Sequence, residues 1–387
     1  MTDDDSLSDG SRSRRRFLQL GGAAAATALA GCSGLSLGGE QESGQVTLAD
    51  FRGSGPLVAQ RAEPEGTSIE DLPALEGELT LYLGGGEGGL YLDLINLLER
   101  RYSDFTTNHR LEASSDLANT IIEETDAGQS PADVFMAVDA GSLGAVANAG
   151  ATAGLPEEAL SAVPSEFQDS EGRWVGIAGR ARAIPYNTNE LSASDIPSSV
   201  QAFPETAAFQ NSLGWAPTYS AFQSFVTAMR LIRGDDETRS WLEAMLDAGI
   251  TEFPDEFRVS NAVADGEIVA GFANHYYSQR VKSARESAPL DLAFTEGDAG
   301  ALVNVSGLEI IDGTPNGDLA ANFVRHILSA EAQEFFATRT FAYPMIPGVQ
   351  PVGGLPTIDE LDPPDIDLTE LADVAGTVDL LREAGVL

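Results

Sequence analysis

Lysine, cysteine and histidine are nearly missing from this chain, which holds one Lys, one Cys and three His in 387 residues. The scarcity of Lys is not a scarcity of charge. All 22 basic residues except Lys282 are Arg, they face 60 acidic residues, and the net charge is −38. A surface so negative repels phosphate, which excludes nucleic acid as a partner. It also disfavours docking on anionic lipid through a basic patch. Loss of Lys with a large acidic excess suits a protein that works in molar salt. There the Debye length is about 3 Å at 1 M and self-repulsion is screened. A single Cys leaves no internal disulfide. Three His, at positions 109, 275 and 326, and no His-Glu-x-x-His pattern leave little for zinc chemistry. What is present is a core: 43% hydrophobic residues, 17 of them Phe, argue against the disorder that acidic chains often show. The length suggests one large domain or two lobes of ordinary size.

The first fifty residues read as an address. Ser13-Arg14-Arg15-Arg16-Phe17-Leu18 matches the twin-arginine export pattern, with Arg14 and Arg15 as its core. The apolar run Leu18 to Ala30 is 13 residues, too short to span about 30 Å of hydrocarbon. It ends in Leu29-Ala30-Gly31-Cys32, which resembles a lipobox and marks Cys32 as the lipidated first residue of the mature chain. Residues 1–31 are thus expected as a lipoprotein signal, and 32–77 mainly as a lipid-anchored linker, with Val46–Phe51 able to pack on the body. The first 31 residues hold four Asp and four Arg, so the whole acidic excess stays with the exported part.

Beyond residue 77 the pattern alternates strand and helix, which predicts an α/β sheet. Leu79–Leu83 reads as a strand, 90–102 and 117–127 as helices, 133–137 as a buried parallel strand and 143–149 as a helix. Residues 174–186 are extended; 220–232, 236–248 and 259–264 have helical spacing. Leu302–Val305 and Leu308–Ile311 look like strands returning to the first sheet. The tail from Pro344 to Leu368 is irregular, with a last helix near 371–384. Gly84-x-Gly86-x-x-Gly89 has dinucleotide-fingerprint spacing. Its acidic ribose partner would fall among 104–112, where no clear second strand is seen. A bare-backbone loop at a cleft edge is expected instead. The body carries no Gly-x-Ser-x-Gly nucleophile elbow.

Asn274-His275-Tyr276-Tyr277 is the sharpest local feature. Adjacent tyrosines in a strand point to opposite faces. A turn after a strand at Ile268–Ala273 would let both phenols enter a cleft. Phenolate is a hard anionic ligand that suits Fe³⁺ better than Zn²⁺ or Cu⁺, and a local cation favours the deprotonated form despite a free pKa of about 10.

Together with Ser130-Pro131-Ala132-Asp133-Val134-Phe135, Gly179-Arg180-Ala181-Arg182, Gly214-Trp215-Ala216-Pro217-Thr218 and Gly300–Gly307, this motif resembles the ferric-iron-binding proteins of ABC importers over residues 78–387. The resemblance implies a type II periplasmic-binding-protein-like fold, two α/β lobes joined by crossing hinge strands. Lobe 1 would be 78–182 with 303–343, and lobe 2 would be 183–302 with 344–387. It implies Tyr276 and Tyr277 as iron ligands, Tyr186 as a third, and Glu87 as a weaker candidate. It also implies a synergistic anion, carbonate or phosphate, cradled by Tyr219-Ser220-Ala221 at a helix N-terminus, with Asn274 and Arg180 or Arg182 beside it. Two departures stand out. The loop after the first strand offers no His, and Asp255-Glu256 replaces an Asn of the family near Pro254. Asp139 is expected to cap a helix. The resemblance implies binding without catalysis, in a monomer tethered to the outer face of the cytoplasmic membrane. It would hand Fe³⁺ to a permease and its ATPase. The same fold binding an organic acid, a thiamine-like cation or a polyamine stays open as the alternative.

Overall fold

The computed structural model describes residues 46–85 and 88–387. Arg14, Arg15, Cys32 and Glu87 lie outside the described residues. So does the one Gly-x-Ser-x-Gly spacing in the chain, Gly34–Gly38. Among the described residues, no helix is long and apolar enough to cross a membrane.

The chain runs α1 (Leu48–Phe51), β1 (Gly77–Gly84), α2 (Gly88–Arg101), β2 (Phe105–Glu112), α3 (Ser114–Asp126), β3 (Val134–Ala137), α4 (Ala140–Asn148), β4 (Thr152–Ala153), α5 (Glu157–Ala162) and β5 (Trp174–Asn187). It continues through β6 (Leu213–Trp215), α6 (Ser220–Arg233), α7 (Asp235–Asp247), β7 (Thr251–Glu252), α8 (Glu256–Asp265), β8 (Ala270–Gly271), β9 (Ala273–Asn274), α9 (His275–Ala284), β10 (Leu290–Ala293) and β11 (Val303–Ile311). α10 (Gly317–Ile327), α11 (Ala330–Phe335), β12 (Tyr343–Pro344) and α12 (Val374–Glu383) complete it.

The strand order is β2-β1-β3-β11-β5-β8-β6-β7. β1, β2 and β3 are parallel, and β11 enters antiparallel between β3 and β5. β5 is the connecting element. Its first half pairs with β11 from Trp174 to Ala181, and its second half pairs with β10 from Ile184 to Asn187. Nearly all of β5 is buried, as a strand covered on both faces must be. The chain therefore builds two sheets that share one strand: the type II two-lobed α/β fold. The second sheet is packed by aromatic rings. Phe222, Phe225, Val226 and Met229 recur at helical spacing on the buried face of α6. Phe225 and Phe222 meet Phe272, Trp215 and Trp241 at centroid distances of 5.3–6.3 Å.

Two expectations need correction. β2 is a full strand, paired with β1 over eight residues. It was illegible because it is an edge strand with mostly exposed, polar residues and no clean alternation. The dinucleotide spacing is thus not excluded by a missing strand. The antiparallel β11 and the shared β5 set this fold apart from a doubly wound parallel sheet. Second, residues 46–77 are not a free tether. Phe51, Ile69 and Leu75 are buried in the body. Arg52 and Arg61 both pair with Glu334, at 2.7 and 2.8 Å, and that carboxylate has no exposure. Buried apolar side chains and this shared ion pair together pin the Gly- and Pro-containing stretch.

Glu334→Ala leaves two guanidinium groups without their shared partner. It is expected to cost about 3–5 kcal/mol in urea denaturation at fixed high salt, and to expose 46–77 to protease. A loss under about 1 kcal/mol would show that the clamp is not a stabilising element.

Candidate binding site

A cavity of about 660 Å³ lies where β5 passes from one sheet to the other. Its walls include Gly85, Ser114 and Asn119 from the first sheet and its helices, Arg180 and Arg182 of β5, Ser220 and Ala221 of α6, and Asn274. Leu371, Ala372 and Val374 of the C-terminal segment also line it. Ala372 and Thr369 are seated against Gly141 and Gly144 of α4, where an added Cβ would come within 2.5–2.9 Å. That segment also touches α6, through Arg230 to Asp373 and Thr227 to Thr377. The tail expected to belong to lobe 2 thus reaches α4 as well.

The tyrosine pair sits at the start of a helix, not on a turn. Asn274 is the N-cap of α9, and Tyr276 and Tyr277 fall in its first turn. Residues about 100° apart on a helix can share a direction that strand neighbours cannot. Their ring centroids are 4.3 Å apart, and both residues are buried, 4% and 8% exposed. Arg280, one turn on, lies 5.0 and 5.4 Å from the two ring centroids. The Tyr219 hydroxyl contacts that of Tyr277, so three phenols gather here. Burial, then the neighbouring Tyr276, then the hydrogen bond with Tyr219 push the Tyr277 phenol well above its ordinary range. Without a cation it is a neutral hydroxyl.

Tyr186 is placed elsewhere. It is buried in the hydrophobic core on β5, opposite Ala270 and Asp291. Burial and Asp291 raise its pKa. It neither lines the cavity nor packs on the pair. Arg180 donates to the carbonyl of Val138. Arg182 pairs with Glu256, and its Nη1 lies 3.3 Å from Asn274 Oδ1. Glu256 also accepts the Asn274 backbone N–H at 2.8 Å. Asn274 Nδ2 reaches the Tyr276 hydroxyl at 3.5 Å. Asp139 caps α4 through the Ser142 N–H at 2.8 Å, as its place in the sequence suggested. Asp255 caps α8 in the same way. Ser220 and Ala221 open α6, whose N-cap Tyr219 makes no side-chain cap bond. Among the described residues no three His, Cys, Asp or Glu side chains gather as a metal site. The oxygen donors concentrated here are phenols.

Sequence reasoning placed Tyr219 in the anion cradle and not against the pair, and it missed Arg280. Arg280 was legible as the i+4 neighbour of Tyr276 once 275–284 is helical. No local spacing ties Tyr219 to Tyr277; only the fold does. His275 points away from the cavity, with Nδ1 at 3.3 Å from Ala181 O and Nε2 at 2.8 Å from Phe341 O. Both partners are acceptors, and a neutral ring has one N–H to give.

This is the site of a two-lobed binding protein, with a ligand cavity at the strand that joins the lobes. The chain belongs to the bacterial extracellular solute-binding protein family, whose model matches residues 94–360. It is similar to the Fe(3+)-binding periplasmic protein of Serratia marcescens, 31% identical over 279 residues, covering 70% of this chain and 80% of that one. It is also similar to the major ferric iron-binding protein of Neisseria meningitidis, 29% identical over 275 residues, covering 70% and 82%. Among solved structures it resembles iron-bound HitA from Pseudomonas aeruginosa, with TM-score 0.66 and 29% identity over 80% of this chain and 99% of that one.

His275 and His326 are held neutral by burial, with pKa values lowered to about 4. Their unfolded value is about 6.5, so below it the unfolded chain binds more protons. Their contribution is intact above pH 6.5 and is lost as pH falls toward 4. The expected NMR result is that both ring signals stay in the neutral form from pH 8 to about 5. Titration near 6.5 would show that the rings are not enclosed as described.

Proposed function

We propose that this protein captures ferric iron outside the cytoplasmic membrane and delivers it to an ABC import permease with its ATPase. The observation that carries this reading is the gathering of Tyr219, Tyr276 and Tyr277, whose chain neighbours Ser220 and Asn274 line the cavity although the three phenols themselves do not. Three phenolates would balance the charge of Fe³⁺, and hard oxygen donors match a hard cation. The iron-binding names of the relatives support the same cargo. Tyr219 takes the third-ligand role that the sequence suggested for Tyr186. Glu87 remains a proposed further donor from the loop after β1.

The mechanism is binding without turnover. Iron displaces protons from buried phenols, so uptake is coupled to proton release and weakens in acid. The two sheets then close by turning about β5. We take lobe 1 as 78–182 with 303–343, and lobe 2 as 183–302 with most of 344–387. Twin-arginine export, lipidation at Cys32, a monomeric state and work in high salt complete the proposal.

Ferric citrate titrated into the soluble body in high salt should give a visible phenolate-to-iron charge-transfer band. Tyr276→Phe with Tyr277→Phe should abolish it, Tyr219→Phe should weaken and shift it, and Tyr186→Phe should leave it. Absence of a band in the wild type, or an undiminished band in the double variant, would end the iron reading. Loss of the band in Tyr186→Phe would restore that residue as the third ligand.

The same titration in weakly buffered solution should acidify the medium as the band grows. Lowering the pH of the loaded protein should bleach it. Once the protons taken back by the freed citrate are counted, a band that forms without proton release would mean that the coloured species does not carry phenolates from this site.

A further inference from the structure

We infer that Glu256 is a built-in counter-anion: it occupies the groups an exogenous anion would use, so this chain binds ferric iron without one. The inference rests on the iron reading above. Arg182 and Asn274 face each other in register on β5 and β9. They are two of the groups expected to hold a carbonate or phosphate. Both are already engaged. Glu256 Oε1 pairs with Arg182 Nη1, and Oε2 accepts the Asn274 backbone N–H at 2.8 Å. Glu256 has no exposure and Arg182 only 3%. Arg182 Nη2 has no hydrogen-bond partner and is itself enclosed, on a residue that lines the cavity wall. Glu256 is also the first residue of the ten-residue helix α8, where the helix dipole favours its negative charge.

The electrostatics run the same way. A second anion beside a buried carboxylate meets repulsion in a medium of low dielectric, where charges are poorly screened. Arg182 with Glu256 is neutral, and Fe³⁺ with three phenolates is neutral. Beyond this pair the nearby cations are Arg180, which donates to the Val138 carbonyl, and Arg280, which lies over the tyrosine rings. Arg180 and the N-terminus of α6 at Ser220 and Ala221 still face the cavity, but Arg182 Nη1 and the Asn274 backbone N–H have been taken by Glu256. The residues present do not fit a synergistic anion. Among the described residues Glu256 is thus a positioning residue: it holds Arg182 and Asn274, and Asn274 in turn touches Tyr276.

The test supplies iron as ferrous chloride oxidised by CO₂-free air, in a chloride–amine buffer free of phosphate and carbonate. The wild type should develop its full charge-transfer band, unchanged by added millimolar phosphate or bicarbonate. Glu256→Gln leaves Arg182 unneutralised. Its anion-free affinity should fall at least about tenfold and be restored by either anion. Calorimetry should detect phosphate binding to apo Glu256→Gln and none to the apo wild type. A wild-type band that appears only after an anion is added would overturn the inference and leave iron binding intact. So would a Glu256→Gln variant that stays anion-independent with native near-ultraviolet circular dichroism. If that variant does not fold, the wild-type arm still decides. No band with or without anion would instead refute the iron reading itself, and the inference with it.

Discussion

One strand belongs to two sheets, and the rest of the molecule is arranged around that constraint. β5 gives its first half to β11 and its second half to β10. The residues at the change of partner, Arg180 to Ala183, have no freedom to serve one lobe alone. Arg180 reaches Val138 at the end of β3, the Ala181 carbonyl lies 3.3 Å from His275 Nδ1, and Arg182 and Ala183 pair with β9. The tyrosine helix α9 begins directly after β9, so its first turn is fixed to the strand about which the lobes would turn. A binding site at this point is sensitive to closure because both its walls are anchored to one backbone.

Much of this architecture was legible from periodicity. β1, β3, α6 and α7 are strongly patterned and buried on one or both faces, and their spacing identifies them. β2 was not legible, because an edge strand with polar residues carries no hydrophobic alternation. The fate of 46–77 was not legible either. Its anchors are charged side chains meeting Glu334 some 270 residues away in sequence, and no local pattern encodes such a pair. At the site, Tyr276 and Tyr277 stood out by rarity and adjacency. The pair was read as a turn because Asn274 looked like a strand end. In fact it starts a helix, and the helix brings both rings to one side. Tyr186 lies on β5, but in the half that pairs with β10, opposite Asp291. Tyr219 reaches Tyr277 across 58 positions of sequence.

The acidity of the chain frames the chemistry of the site. With 60 carboxylates, acids near the cavity are expected by default and carry little meaning individually. The fold sorts them. Asp139 and Asp255 cap helices, and Glu256 is spent on Arg182 and Asn274. What remains as a candidate donor set is a group of buried phenols, few in this sequence and held close together. Burial keeps Tyr277 protonated, so under the proposed function an ion would have to displace phenolic protons to bind.

The most direct test of the central claim is resonance Raman spectroscopy of the iron-loaded protein, excited within its visible band. The account predicts enhanced tyrosinate ring and C–O vibrations that disappear together when Tyr276 and Tyr277 are replaced by Phe. Iron bound with no tyrosinate modes, or modes that survive the double replacement, would contradict it.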